Sequence, residues 1–461
     1  MLPVGVTRPS GWGVGVRTSG ALRRYGPAVD QAVSSGHPLE VHGSWRRPVV
    51  WAAIPLVLGA ARAMDALGIA LPQIRGERGM RLQDLQWVGL AFLLAQAVVL
   101  VSAGRVGDRV GRRPVFMTGL AVVVLGSLAV AVAPADGWLV PARIFEGLGA
   151  GILVSGSYAI VRDNVSTEML GRAFGLWAMV AGIGGWLVGP LVYGALTYYA
   201  SWRWVMVLNA TLGLIALVLT PNFIPGGRPL AIVRPSVRRL LRDKNFVVAA
   251  TTISLIFVIF GMLWLTLIFY FNTVHALSAT KIGLLALVYG IPYSALPPFT
   301  GRLADRVGVR RPLLIGFGLV VASMVLFSIS TGSRDLVGTV VAVTLTGAGV
   351  IFVTPALNAV AFRQIHVEDR SDASGIFLTM RLIGTAAGVA IATTMLGSIS
   401  DTTRPAFGVV AGYDLAASWV GRLGVVVALV AFVVVMAGIR PRGVTWIPAA
   451  VGNGSEPTGS A

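Results

Sequence analysis

Long apolar runs alternate with short polar segments from about residue 49 to residue 439. A transmembrane helix needs about 20 consecutive apolar residues, and twelve runs approach or exceed that length in two sets of six. We therefore predict an all-α polytopic membrane protein in which twelve transmembrane helices form two pseudo-symmetric six-helix bundles. The predicted spans are residues 49–72, 84–103, 114–133, 138–161, 173–199, 201–221, 247–273, 281–299, 312–330, 336–359, 374–398 and 423–439.

The polar segments set the predicted domain boundaries. Residues 1–48 contain no apolar run long enough to span, and we interpret them either as a disordered cytoplasmic tail or as a stretch upstream of the true start. The N-terminal bundle covers residues 49–221 and the C-terminal bundle residues 247–439. A cytoplasmic linker at 222–246 joins them, and residues 440–461 form a C-terminal tail.

Composition excludes several classes of function. Charged residues make up 12% of the chain and hydrophobic residues 55%, whereas soluble domains carry about 25% charge. The chain has no cysteine, so a disulfide, a thiolate metal site or a cysteine nucleophile is impossible. Its four histidines lack metal-site spacing, and the sequence contains no phosphate loop or nucleophile elbow. We expect no cofactor, no metal and no enzymatic activity.

The net charge of +18 could indicate a nucleic-acid partner, but its distribution argues against one. Of the 37 Lys and Arg residues, 26 fall on one side of the predicted spans, eight on the other and three within spans. Basic residues concentrate on the cytoplasmic side of membrane proteins. This predicts a multi-pass protein of the inner (plasma) membrane with both termini cytoplasmic, surrounded by lipid and without nucleic acid.

A basic loop follows the second span of each set. The first reads GRVGDRVGRRP from Gly104, and the second reads GRLADRVGVRRP from Gly301. An ordinary solvated loop does not explain G-R-x-x-D-R-V-G at equivalent places, so we infer duplicated halves. Transporters with such repeats place the substrate between the halves, near the middle of the membrane.

These loops resemble the signature of the major facilitator superfamily, G-x-L-A-D-R-x-G-R-R/K. The resemblance implies alternating access by rocking of the two halves, with the loops acting as a charged cytoplasmic gate. Asp163 and Glu168 are candidate partners for the loop arginines. The gate residues that the resemblance implies are Gly104, Asp108, Arg109, Arg112, Gly301, Asp305 and Arg306.

The fifth span contains GGWLVGPLVYG, which is similar to the antiporter motif of drug:proton antiporters, the multidrug efflux branch of this superfamily. The matching residues are Gly185, Gly189, Pro190 and Gly194, and Tyr193 replaces one glycine. Proline kinks a helix, and glycines spaced by four let another helix approach closely. Ordinary glycine-rich packing is the alternative interpretation.

Two pairs of charges lie inside predicted spans, where ionisable groups indicate function. Arg62 with Asp65 and Arg143 with Glu146 are each three residues apart, so each pair shares one helix face. Counting residues places both acids about 10–12 Å from the same membrane surface. The second pair resembles the family motif R-x-x-Q-G-x-G, with Glu146 in the Gln position. We interpret the four residues as a proton-coupling site, and the alternative is two structural ion pairs.

Five polar or aromatic residues within spans are candidates for substrate contact, although packing or a place at the membrane interface is the alternative for each. Arg381 would either bind an anionic group or brace neighbouring helices. The candidates are Gln96, Trp264, Tyr270, Asn358 and Arg381.

The sequence thus predicts a secondary active transporter that exchanges protons for small amphipathic compounds such as drugs or antibiotics. Its partners would be protons, the small-molecule substrate and the lipid bilayer, and we expect it to function as a monomer. One alternative is a proton-coupled importer with the same fold, and a less favoured one is a membrane sensor that transports nothing.

Overall fold

The computed structural model describes residues 67–164, 185, 188–224, 237–296, 299–300, 303, 307–362, 365 and 369–438. Within these residues the secondary structure is helical. The helices are α1 (Leu67–Arg78), α2 (Leu82–Val110), α3 (Arg112–Ala131), α4 (Asp136–Asn164), α5 (Gly189–Tyr199), α6 (Trp202–Phe223), α7 (Val237–Arg242), α8 (Lys244–Thr273), α9 (Ala279–Ala295), α10 (Arg310–Gly332), α11 (Leu336–Phe362) and α12 (Arg370–Gly438).

Nine helical segments of the described chain are long and apolar enough to cross a membrane. They match nine of the twelve predicted spans, and the all-α polytopic fold is confirmed. The other three predicted spans coincide with the shorter helices α1, α5 and α9. Most of the first span and much of the fifth lie outside the described residues, as do residues 1–48 and 440–461.

Local sequence explains where several helices begin. The Ser201, Asp243 and Ser278 side chains accept hydrogen bonds from backbone N–H groups in the first turns of α6, α8 and α9. Such caps satisfy N–H groups that have no partner within the helix. Between α2 and α3, Gly111 has φ 109°, a conformation open to glycine but strained for other residues. The chain therefore reverses direction there within a single residue.

Several helices have other bounds than the predicted spans, the first and the last among them. The first span was predicted to end at residue 72, but α1 continues to Arg78 with Pro72 inside it. This polar extension is held against α6, because Gln73 Oε1 accepts from the Trp202 backbone N–H at 3.2 Å and Glu77 from the Trp202 indole at 2.9 Å.

The last predicted span begins much earlier than residue 423. Gly408, with φ 83°, divides α12 into two spans, and the second is Pro405–Gly438. Polar residues make this stretch less apolar, and side chains from elsewhere in the fold pair with two of them. Asp414 pairs with Arg334 at 2.6 Å, and the Tyr413 hydroxyl accepts from Arg75 at 2.8 Å.

Helices α1–α6 form the first half and α8–α12 the second. In the first half, α4 packs against both α2 and α3, and α3 packs against α6. In the second half, α12 packs against α8 and α10, and α10 against α11. The halves meet through α2 with α12, α5 with α9, and α1 with α8.

Small residues allow the closest of these approaches. On α4, a Cβ atom added at Gly151 would lie 2.6 Å from the Gln96 carbonyl of α2, and one at Gly149 would lie 2.7 Å from the Val123 backbone nitrogen of α3. On α12, a Cβ at Gly388 would collide with the carbonyl of Val258 on α8. Glycine at such points lets helix backbones touch.

We predict that Gly388→Ala lowers the stability of the protein by about 1–3 kcal/mol, the usual cost of overpacking. Gly318→Ala is the matched control, because a Cβ at Gly318 would meet nothing within 4 Å. Alanine should be neutral or slightly stabilising there, since it favours helix over glycine. Thermal unfolding of the purified variants measures the difference, and equal midpoints would contradict the packing described here.

Candidate functional site

A central cavity lies where α1, α2, α4 and the start of α5 meet α8 and α12. It encloses about 1140 Å³ of empty space, including its opening. Its wall is mostly apolar, with Phe92, Phe260 and Trp264 as the aromatic members. The polar side chains among the described lining residues are Gln86, Gln96, Arg143 and Thr385.

Arg143 is the only charged residue among the described residues that line this cavity. Its Nη1 donates to Glu146 Oε2 at 2.7 Å, so the predicted pair on α4 forms a salt bridge. Both residues are almost completely buried, at 1% and 0% exposure. Arg143 borders the cavity, whereas Glu146 is not among the lining residues.

Other groups complete the surroundings of this ion pair. The Ser127 hydroxyl of α3 donates to Glu146 Oε1 at 2.7 Å. Arg143 Nε donates to the Val88 carbonyl of α2 at 3.0 Å, and the guanidinium lies 4.1 Å from the centre of the Phe92 ring. Both charges are therefore hydrogen-bonded, as buried charges require.

Gly126 explains how Ser127 reaches Glu146. A Cβ at Gly126 would lie 2.7 Å from the Glu146 Cα, so α3 can approach α4 this closely only with glycine there. The other predicted coupling pair, Arg62 and Asp65, lies outside the described residues.

Of the predicted substrate contacts, Gln96 and Trp264 line the central cavity. Arg381 lies on α12 just before the lining residue Leu382, with its guanidinium 4.3 Å from the centre of the Phe257 ring. Tyr270 is completely buried, and its hydroxyl donates to the Thr331 carbonyl at 3.1 Å. That contact is typical of packing.

Asn358 is an exposed residue of α11 and is not among the lining residues of this cavity. The structure instead adds Gln86, which sequence reasoning did not select. Gln86 lines the cavity, and its Oε1 is buried with no hydrogen-bond partner. The feature of the sequence that could have indicated Gln86 is its polar side chain near the start of an apolar span.

The predicted gate loop is helical in the structure except at Gly111, because residues 104–110 continue α2 and Arg112 begins α3. We call this end of the bundle the Gly111 end. There Arg112 forms an ion pair with Asp108, and its Nη1 donates to the Gly104 carbonyl at 3.1 Å. These three predicted gate residues thus meet within one half. Arg109 is exposed, and Gly301, Asp305 and Arg306 lie outside the described residues, as do Glu168 and the Asp163 side chain.

A different arginine of the repeated motif, Arg105 on α2, joins the two halves. Arg105 Nη2 lies 2.9 Å from Asp372 Oδ2 in the first turn of α12. Nearby, the Thr379 hydroxyl donates to the Ala97 carbonyl at 3.4 Å. Arg105 occupies the second position of the repeated motif, but the motif alone does not reveal a partner on α12.

The opposite end of the bundle, where α1 ends, is the Arg78 end, and it is also bridged. Arg75 Nη1 of the first half donates to the Tyr413 hydroxyl of the second at 2.8 Å.

Close by in the second half, His275 packs edge-on against Tyr270, with ring centres 5.3 Å apart. Burial lowers the pKa of His275, although nearby Asp414 opposes the shift, so its imidazole is neutral at neutral pH.

Two of the predicted antiporter residues, Pro190 and Gly194, lie at the contact between α5 and α9. Gly185 and Pro190 line the central cavity. A Cβ at Gly194 would lie 2.5 Å from the Ala279 carbonyl, and the Pro190 carbonyl lies against Gly283 of α9. These residues therefore both shape the cavity wall and join the halves.

Comparison with known proteins agrees with this architecture. The family model described as the Major Facilitator Superfamily matches residues 53–389 and 250–453. A multidrug resistance protein of Mycobacterium tuberculosis, Stp, is 28% identical over 404 residues, which cover 74% of this chain and 75% of that protein. The tetracenomycin C resistance and export protein of Streptomyces glaucescens is 31% identical over 171 residues, covering 37% of this chain and 32% of that protein.

A solved structure shows the same fold at 16% sequence identity. It is a bacterial homologue of the human lysosomal transporter Spinster in an inward-facing, unoccupied conformation. The TM-score is 0.68, and the match covers 85% of this chain and 96% of that chain.

The fold and the family match together define a membrane transporter built from two halves. This chain belongs to the major facilitator superfamily. The family resemblance seen in the repeated loops is confirmed.

We predict that Glu146→Ala destabilises the protein by about 3–5 kcal/mol, because Arg143 would remain buried without its counter-charge. Replacing both residues by leucine should recover most of this loss, since no lone charge remains. Denaturant unfolding of the purified variants measures both.

The exposed pair Arg81 and Asp84 has the same three-residue spacing and serves as the control. Asp84→Ala should cost no more than about 1 kcal/mol. A double leucine variant as unstable as Glu146→Ala would contradict the account of the pair.

A disulfide across the Gly111 end should stop transport. A Cβ at Gly375 would lie 4.0 Å from the Val101 Cβ, within the range of about 3.5–4.5 Å for disulfides. Since the chain has no cysteine, oxidation of Val101→Cys/Gly375→Cys should form one defined cross-link between α2 and α12. The transport rate, measured before and after reduction, is the readout.

The control cross-link lies within the second half, where a Cβ at Gly424 would be 3.7 Å from the Met324 Cβ. Oxidised Met324→Cys/Gly424→Cys should transport normally. Full activity in the cross-linked Val101→Cys/Gly375→Cys protein would show that the Gly111 end does not open during turnover.

Proposed function

We propose that this protein is a proton-coupled exporter of small amphipathic compounds that resides in the plasma membrane as a monomer, with the Gly111 end cytoplasmic. The observation that carries the proposal is the placement of the Arg143–Glu146 pair. Arg143 borders the central cavity, and its partner acid lies buried behind it. The charge state of Glu146 can therefore change the cavity through Arg143.

The coupling follows from electrostatics. While Glu146 is ionised, it holds the guanidinium against the wall, and the cavity is a largely apolar space with a few amide groups. When Glu146 takes up a proton, Arg143 loses its counter-charge and its positive charge acts on the cavity. A cationic or apolar compound is then bound less well. Proton binding and compound binding thus weaken each other, and exchange of protons for the compound requires this.

The mutual weakening of proton binding and compound binding links the two in one transport cycle. If a proton weakens compound binding, the compound weakens proton binding by the same factor. Protons arriving from outside would release the compound there, and the emptied, protonated cavity would return inward. The relatives named for multidrug resistance and for antibiotic resistance and export support the outward direction.

The residues outside the central cavity have proposed roles in the same cycle. Asp65 and Arg62 would assist proton transfer, since the sequence places Asp65 at a depth similar to that of Glu146. Gln96 and Trp264 would contact the compound, with Gln86 as an additional amide. Arg381 would raise the local positive charge on the cytoplasmic side of the cavity.

Inverted membrane vesicles test coupling and direction together. With an imposed inside-acid gradient, transported compounds should dissipate the gradient as they enter the lumen. Glu146→Gln should reduce this compound-dependent proton flux by about fivefold or more, in line with coupling energies of 1–3 kcal/mol. Asp65→Asn, assayed in parallel, tests the second acid.

Glu77→Gln is the matched control, because Glu77 is a partly exposed carboxylate at the Arg78 end that pairs with Arg203. It should keep the wild-type flux. Undiminished flux in Glu146→Gln would remove this acid from the coupling site. Uptake only in right-side-out vesicles would favour the importer with the same fold.

A further inference from the structure

A second cavity lies entirely within the second half, between α8, α9 and α11. It encloses about 530 Å³ of empty space, including its opening. Ten of the eleven described residues that line it are apolar, and Thr346 of α11 is the exception. The Thr346 hydroxyl is already paired with Ser323 of α10 at 2.8 Å. The Thr346 hydroxyl is therefore not free to hold water in this cavity.

Two side chains of α8 border both cavities. Phe260 and Trp264, one helical turn apart, line the side cavity as well as the central cavity. Trp264 also reaches the first half, because a Cβ at Gly68 of α1 would lie 2.9 Å from its indole nitrogen. The two cavities are therefore neighbours separated by this aromatic pair.

The chemistry of the two cavities differs sharply. The central cavity carries the amides of Gln86 and Gln96 and the guanidinium of Arg143, whereas Thr346 and Trp264 alone bring polar side-chain atoms to the described lining of the side cavity. An apolar cavity without hydrogen-bonding groups stays dry and binds apolar ligands. A compound with a polar and an apolar end can satisfy both cavities at once.

We propose that the side cavity is a second part of the substrate site that takes the hydrocarbon group of the transported compound, an aromatic ring or an alkyl chain. The polar part stays beside Gln86, Gln96 and Arg143. The inference rests on the proposed function, since it takes the cargo to be amphipathic. A lipid acyl chain has the same chemistry, so the experiment distinguishes the two sources.

A filling substitution tests the assignment. Ala286 of α9 lines only the side cavity, and Ala286→Phe should occupy it. The control is Leu284→Phe on the exposed face of the same helix. The probes are alkyltrimethylammonium ions from butyl to decyl, with binding to purified protein in nanodiscs measured by equilibrium dialysis.

The expected result is a length-dependent loss. Butyl binding should be nearly equal in wild type, control and Ala286→Phe. Decyl binding should weaken in Ala286→Phe alone, by up to about fourfold for each methylene that loses burial. Val343→Phe fills the cavity from α11 and should do the same. Leu285→Ala enlarges it and should favour the longest ions.

Each other result has a definite meaning. Equal affinity ratios at every chain length in Ala286→Phe, Val343→Phe and Leu285→Ala would overturn the proposal. So would the loss of one protein-bound phospholipid from Ala286→Phe, seen by native mass spectrometry, without any length dependence, because a lipid chain would then fill the cavity. Length-dependent binding without transport in vesicles would support the side cavity while refuting the exporter function.

Discussion

The arrangement of the first half depends on one interaction, the buried ion pair between Arg143 and Glu146. Lipid offers no water to solvate a stray charge, so the protein must supply every partner. It does so from three helices, with the Val88 carbonyl and Phe92 on α2, Ser127 on α3 and the pair itself on α4. The close packing of α2, α3 and α4 is thus also the solvation shell of this pair.

Glycines make that shell possible. Gly126 brings α3 against Glu146, and Gly149 and Gly151 bring α4 against both neighbours. A side chain at any of these points would separate the backbones and lengthen the hydrogen bonds to the charges. Close helix packing and hydrogen bonding to the buried charges therefore depend on the same backbone distances. The glycines after Arg143 allow those distances.

The sequence predicted the contacts between residues close together on one helix. It did not predict the contacts between different helices, for physical reasons. The Arg143–Glu146 pair could be foreseen because residues three apart share a helix face. The length of the apolar runs located the spans, but it failed at the start of the last one, where the polar residues Tyr413 and Asp414 pair with Arg75 and Arg334. The Arg105–Asp372 bridge, Gln86 and the side cavity all depend on distant helices, which no local pattern encodes.

The contact between Trp264 and Gly68 has a consequence for the transport cycle. Trp264 belongs to the second half and Gly68 to the first, yet the indole that rests on Gly68 also separates the two cavities. In the proposed transport cycle, rocking of the halves apart at this point would take the Gly68 surface away from the ring. The wall between the polar and apolar cavities would thus move with the halves, and the shape offered to a cargo would change in the same step as its access to the aqueous phase.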